Sequence, residues 1–493
     1  MKKILKSITL IAFPFLAFSQ NSEDALRYSE NGLGGTARFV SMSGSFGALG
    51  ADLSTIHYNP AGLGVFRKSQ FTFSPVYVQT DASSIFLNTE TEENRIGFKI
   101  NNLGMAIVMP QEKNSDWSFV NIAVSYSLLT DFNSDVRLRN EDFSTSLGNQ
   151  FAEQAEGKQA SNIGDDMPYS SGLAYNAYLI DPINADSNSY RSKTFGKDVN
   201  MSRRLKEKGH IGETAISVGA NYQQKFFVGA TIGITRVRYS SAVIHTEELV
   251  DETADLKEFT FREDLTVSGS GINLKLGGIY QLASWVRVGL SWHSPTNISL
   301  NDKFNTSINT QFNKAPFENT TSFDESSGET VYEYRIVTPS RFMYSIALIA
   351  GNRGAINIDY ERTNYSNAKL KPSYEVNAGS YEFDKENEQI KNILIAGNRL
   401  KIGGEYRFGP WALRGGVSTS SNPFSSDVID NKETTKGLTL GTGYSQEHWF
   451  IDFAFSKLTS TRDYYPFATS DFEQGALIKK EISQIAFTCG LKF

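Results

Sequence analysis

The chain has 493 residues, a formal net charge of −6, 12% aromatic residues and one cysteine, Cys489. The acidic balance and the lack of any Lys/Arg run exclude nucleic acid as a partner, and a lone cysteine excludes an internal disulfide framework. Beyond the N-terminus no apolar stretch approaches the ~18 residues of a membrane-spanning helix.

The N-terminus reads as an export signal. Lys2, Lys3 and Lys6 precede an apolar stretch from Ile8 to Phe18, and Ala17-Phe18-Ser19 supplies a small-x-small cleavage site. Removing residues 1–19 leaves an expected mature chain of 474 residues and moves the formal charge to −9. That length would ordinarily make two or more domains, yet no linker or composition shift divides it. One large barrel is one way to resolve the conflict, and export without a helical anchor leaves three options: the periplasm, the outer membrane or the outside of the cell.

Residues 20–69 show no strand periodicity and carry glycines at 32, 34, 35, 44, 47, 50, 62 and 64. Gly44-Ser-Phe-Gly47-Ala-Leu-Gly50 is no dinucleotide loop, because no strand precedes it and the spacing is not G-x-G-x-x-G. It reads as compact irregular backbone packed inside something else. Asn59-Pro60-Ala61 fits a capped turn: the residue before proline is held extended, the Asn59 side chain can cap or reach a wall, and Pro60 and Ala61 can start a short helix.

From residue 70 onward the pattern has period two. Ile485, Phe487, Cys489, Leu491 and Phe493 share one face while Gln484, Ala486, Thr488, Gly490 and Lys492 share the other. Fourteen strands are predicted: 70–80, 95–109, 117–140, 211–223, 225–244, 258–280, 285–304, 332–351, 353–370, 390–408, 410–422, 434–446, 448–462 and 477–493. Tight turns follow the second, fourth, sixth, eighth, tenth and twelfth. The seven other connections are expected to be long and polar. Strict alternation of turn and loop, on strands long enough to cross a hydrocarbon layer, is the layout of an outer-membrane barrel. Loop 141–210 carries a helical pattern at Phe143, Leu147, Phe151 and Ala155, capped by Asp142 or Ser144 and followed by Gly157. A second apolar patch holds Leu173, Tyr175, Tyr178, Leu179 and Ile180.

Gly35-Thr-Ala-Arg38, Met42-Ser-Gly-Ser-Phe-Gly-Ala-Leu-Gly-Ala-Asp52 and Asn59-Pro60-Ala61-Gly62, followed by the strand from Gln70, resemble the start of the FadL outer-membrane transporter family. The resemblance is dense over residues 31–78. It implies an all-β, 14-stranded antiparallel transmembrane barrel (residues 70–493), an N-terminal hatch (20–69) inside the lumen, and a partly helical extracellular loop. It further implies passive transport of small hydrophobic molecules, fatty acids or aromatic hydrocarbons, with capture at Phe143, Leu147, Phe151, Leu173, Tyr175 and Tyr178. A lateral exit through the wall needs a broken ladder, and Asp131-Phe-Asn-Ser-Asp135 interrupts the third strand. Expected partners are hydrophobic ligands, outer-membrane lipid and lipopolysaccharide, and the barrel-assembly machinery through Phe493, with the chain a monomer. The alternative is a FadL-like barrel that serves a secretion system as a non-transporting partner.

No catalytic residue, metal site or cofactor is expected. The histidines are His57, His210, His245, His293 and His448, and neither a G-x-S-x-G elbow nor H-E-x-x-H occurs. His57 reads as a packed polar residue. Glu92-Glu93, Asp165-Asp166 and Glu247-Glu248 read as solvated loop charge.

Overall fold

The computed structural model describes residues 22–112, 115–184, 188–316, 319–374, 381–425 and 434–493; the export signal lies outside them. The chain closes into a fourteen-stave antiparallel barrel. In chain order the staves are β1 (Gln70–Phe86), β2 (Thr89–Pro110), β3 (Trp117–Asp131, resuming as Ser134–Phe143), β4 (Val199–Tyr222), β5 (Phe226–Leu249), β6 (Leu256–Ala283) and β7 (Val286–His293, resuming as Asn297–Phe312). Then come β8 (Thr330–Val337 and Arg341–Ile349), β9 (Gly354–Asn364 and Lys369–Pro372), β10 (Ala396–Phe408), β11 (Trp411–Ser420), β12 (Thr435–Ser445), β13 (Trp449–Tyr464) and β14 (Ala476–Lys492). Each stave pairs with its neighbour in sequence. β14 closes on β1 from Gln70↔Lys492 to Ile85↔Leu477, which leaves no sheet edge at the seam.

Alternation explains the wall. Outward side chains on β13 and β14 are Trp449, Ile451, Phe453, Phe455, Ile485, Phe487 and Leu491, all exposed, while the intervening Asp452, Ala454, Ser456, Ala486 and Thr488 are buried. Apolar exposure on this scale suits lipid and would be unsustainable in water. Aromatics also flank the short turns: Tyr222 and Phe226, Tyr280 and Trp285, Phe408 and Trp411, Tyr444 and Trp449. They form a girdle at one rim, the position that amphipathic rings favour at a membrane–water boundary. The apolar belt, both girdled and closed, makes the chain an outer-membrane barrel of a Gram-negative cell.

Several boundaries differ from the sequence-based expectation. The first connection is no long loop: β1 and β2 run on to Phe86↔Thr89 and turn through Leu87 (φ +54°) and Asn88. That hairpin stands clear of the belt: its inner face packs Ala82 and Phe86 into the interior, and its outer face meets water, so its Ser, Thr and Glu positions blur the apolar alternation. β4 starts at Val199 instead of 211: Val199, Met201 and Leu205 pack inward, but buried Arg203 and Glu207 on the same face and polar side chains on the other hide the strand. Residues 390–393 belong to a helix, Asp384–Ile393, and β10 starts at Ala396. Helix 147–155 is capped by Ser146, which accepts from Gly148 N, while Phe143 ends β3; neither Asp142 nor Ser144 is the cap.

Residues 22–69 are buried against the inner face of the wall. They form a helix at Ser22–Arg27, another at Ala37–Ser41, and 3-10 turns at Leu53–His57 and Pro60–Val65.

Candidate functional site: the lumen and the break in its wall

The N-terminal segment is held at the short-turn end by close approach and by polar contacts. Asn59 Oδ1 accepts from Ala61 N at 3.1 Å and caps the turn that Pro60 begins, while its Nδ2 donates to Gly47 O at 2.6 Å and, more weakly, to Gly278 O in β6. Pro60 O and Asn59 Oδ1 lie so near β5 and β6 that a Cβ at Gly229 or Gly277 would overlap them. These two glycines are register partners, so the sheet offers the segment bare backbone at that point. Opposite, Asp359 of β9 accepts from Phe46 N at 2.9 Å and Gly47 N at 3.1 Å. The glycine-rich run thus cradles a carboxylate that the wall supplies. Arg38 donates to Glu405 at 3.0 Å, and Glu405 and Asp452 are held by Arg414 at 2.5 and 2.6 Å. Asn59→Ala removes a cap and leaves buried polar groups unpaired, at a cost of about 1–3 kcal/mol. The expected outcome is faster amide exchange at residues 46–66 with the β-sheet spectrum unchanged.

His57 lies between Glu213 Oε1 (2.8 Å from Nδ1) and Ser125 Oγ (3.2 Å from Nε2). Serine, histidine and carboxylate in a row is a hydrolase-like arrangement. Here all three are buried, Ser125 Oγ also accepts from Asn102 Nδ2 at 3.1 Å, and Lys275 is paired with the same Glu213. Through these bonds the row ties the N-terminal segment to β3 and β4. Burial lowers the His57 pKa against the pull of Glu213. The docked imidazole is therefore the weaker base, so docking is complete above the undocked pKa of about 6.5 and is lost as pH falls below it. Exchange protection of residues 53–66 should drop between pH 7 and 5, and His57→Gln should flatten that dependence.

Above this tier the lumen divides. A polar cavity of about 40 Å³ touches Ser29, Glu213, Asn273, Lys275, His293 and Arg341, room for a few waters at most. Next to it lies a packed apolar cluster of Val237, Tyr239, Ile298, Leu300, Tyr334, Ile336, Leu370 and Phe383, to which Ala25 of the Ser22–Arg27 helix and Tyr28 just after it contribute. The long-loop end is capped. Phe143, Leu147, Phe151 and Leu173 are 2–5% exposed in one cluster, with Tyr175 and Tyr178 packed against it. Ring contacts extend the cap to Phe86, Phe261, Phe323 and Phe472. All six of the expected ligand-loop residues converge, as packed interior. The tips that carry Phe323, Phe467 and Phe472 had no periodic pattern in the sequence and were missed.

Glu247 is a correction: it sits in β5, fully buried, and accepts from Leu147 N at 2.8 Å and from Ser146 Oγ, tying the loop helix to the wall. Glu93 lies in β2 and pairs with Arg137 at 3.0 Å. Of the three acidic pairs, only Asp165-Asp166 lies outside the staves, in the helical turn Ile163–Asp166, with Asp166 3.1 Å from Lys158.

The wall is broken between β2 and β3. Their ladder runs from Pro110↔Phe119 to Asn102↔Ser127 and stops. Beyond it β2 pairs only with β1, and β3 bulges at Leu128/Thr130, interrupts at Phe132-Asn133, and resumes against β4. The resumed piece lies inside the β1–β2 hairpin, where Ser84 Oγ donates to Arg137 O at 2.5 Å. Residues 89–101 of β2 therefore have no strand on that side. Ile96, Phe98 and Ile100 flank the break at 59%, 74% and 43% exposure. The N-terminal segment covers it from within: Gly32 N donates to Leu129 O at 2.7 Å and Thr130 Oγ1 donates to Glu30 O at 2.9 Å. Leu129 also belongs to the packed apolar cluster.

No family profile and no curated protein matches the chain in sequence. Solved structures do match in fold. A FadL homologue of Pseudomonas aeruginosa aligns over 94% of this chain and 100% of its own with a TM-score of 0.56 at 12% identity. The toluene transporter TodX of P. putida aligns over 94% and 99% with 0.53 at 13%, and the monoaromatic hydrocarbon channel CymD over 94% and 99% with 0.50 at 14%. The chain has the fold of the FadL-type outer-membrane transporters.

Proposed function

We propose that the chain passes small hydrophobic molecules across the outer membrane passively. The molecule parts the aromatic cap, works through the apolar cluster beneath it, and leaves sideways between β2 and β3 into the bilayer. Residues 20–69 act as the hatch that keeps the lumen closed to water, and Asn59, Pro60 and Ala61 anchor it. The observation that carries this reading is the ladder break: unpaired strand backbone facing lipid is costly, and here it lies between a packed apolar cluster that includes Leu129 on the inner side and exposed Phe98 on the outer. The similar structures include monoaromatic hydrocarbon and toluene channels, which supports a hydrophobic cargo. Uptake of radiolabelled palmitate and of toluene, compared in cells with and without the protein, tests the reading. A gain for either cargo supports it and names the class, and no gain for both refutes it.

One observation favours a second reading, a non-transporting partner in secretion: the closed lumen holds a small polar cavity and a dense ion network. A pull-down that recovers secreted proteins on the capped end, with no hydrophobic uptake, is its expected signature.

A further inference from the structure

The outer surface of β4–β6 carries two features, one above the other. The lower is an apolar groove of about 580 Å³, bounded by Met105, Ile122, Ile216, Val218, Ile232 and Leu274. Register explains it. Met105, Val124, Ile216, Ile232 and Leu274 form one row across five staves, and Ile107, Ile122, Val218, Ala230 and Leu276 form the next. Ala230 leaves the second row low, so the face is furrowed. At ~4.8 Å per stave the furrow runs about 19 Å.

The upper feature is basic. Along β5 the outward positions change from Ile232 and Ile234 to Arg236 and Arg238, both exposed; exposed Lys208 stands beside them on β4, one outward step beyond His210, the register partner of Arg238. Among the described residues none of the three side chains makes an ion pair or hydrogen bond. Some bases elsewhere at the loop end are matched, as Lys457 is to Glu481 at 2.7 Å and Lys303 to Glu329 at 2.9 Å. Beside the arginines lies a shelf of exposed hydroxyls, Ser268 and Ser270 on β6 and Ser299 on β7, joined in register to Arg238 and Arg236. The chain as a whole is acidic, so three free cations at one spot do not reflect a general excess.

The long-loop end faces out of the cell, so the patch stands at the height of the outer-leaflet head groups. We infer that β4–β6 hold one molecule of a phosphorylated, multiply acylated glycolipid of the lipopolysaccharide type, with phosphates on Lys208, Arg236 and Arg238, sugar hydroxyls on the serine shelf, and acyl chains in the furrow. Arginine forks suit phosphate oxygens bidentately, and the vertical order of polar above apolar matches that of the lipid. This site rests on the outer-membrane placement and not on transport.

Purified full-length protein in mild detergent, offered defined lipid A with both phosphates, tests it by native mass spectrometry and by the shift in unfolding temperature. Bisphosphorylated lipid A should remain bound and raise the unfolding temperature, and phosphate-free lipid A with the same acyl chains should do neither. Lys208→Ser/Arg236→Ser/Arg238→Ser should retain at least about tenfold less lipid, the effect of losing a charge-assisted contact, with heat-modifiable migration and hydrophobic uptake unchanged. Ala230→Phe, which fills the furrow, should weaken retention with the phosphates intact. Equal retention of phosphorylated and phosphate-free lipid overturns the assignment. So does an equal response to inorganic phosphate alone, or a detergent-stable dimer that the triple variant dissociates, which would give the face to a second copy of the chain.

Discussion

Gly277→Val should convert a closed barrel into a conducting one. A side chain at Gly277 collides with Asn59 Oδ1, and its register partner Gly229 already lies against Pro60 O. Valine suits a strand, so the wall keeps its ladder and the inner segment is the part that must move. Overpacking of this kind costs typically about 1–3 kcal/mol. The cost falls on the Asn59 cap and on the neighbouring bond to Gly47 O. Single-channel recording in planar bilayers should show frequent long openings for the variant against near silence for the parent, with far-UV circular dichroism the same. Parental silence in the variant would mean that Asn59-Pro60-Ala61 does not hold the lumen shut.

Deleting Phe132 and Asn133 is the second large effect. The two residues interrupt β3 between Asp131 and Ser134. Removing a pair keeps every side chain on its original face, because the strand repeat is two. A continuous β3 can then pair with residues 89–101 of β2 and close the break. Uptake of hydrophobic cargo should fall to the level of cells that lack the protein, while the folded barrel still resists detergent. Retained uptake would show that the cargo does not leave between β2 and β3.

The wall was legible in the sequence because lipid and lumen impose opposite demands on alternate residues. All fourteen staves were found, and Gln224, Gly409 and Glu447 do lie at tight turns; Gln224 and Gly409 there carry φ of +57° and +58°. Legibility ended where one of the two solvents did. Beyond the lipid the outer faces of the β1–β2 hairpin and of the start of β4 meet water, and their Ser, Glu and Lys residues read as loop even though Phe86, Val199 and Met201 pack inward. The interruption at Asp131–Asp135 was visible as misplaced polarity inside a strand. That β3 re-pairs with β4 and leaves β2 bare was not visible, since register is a property of three strands together. The lumen was least legible of all. His57, Ser125 and Glu213 are brought together from positions up to 156 residues apart, and inward polar residues on many strands look alike until the barrel closes. The loop aromatics could be named but not their state: spacing put them on one face, and whether that face meets ligand or other rings depends on tips at Phe323, Phe467 and Phe472.

Paired permeability most directly tests the central claim, that the barrel is shut to water and open sideways to apolar molecules. The protein is placed in liposomes, and the entry of a small hydrophilic sugar and of a fluorescent fatty acid is followed in the same vesicles. The sugar should enter no faster than in protein-free liposomes, and the fatty acid should reach the bilayer several-fold faster than without protein. Sugar entry at porin-like rates, with no acceleration of the fatty acid, would contradict the account.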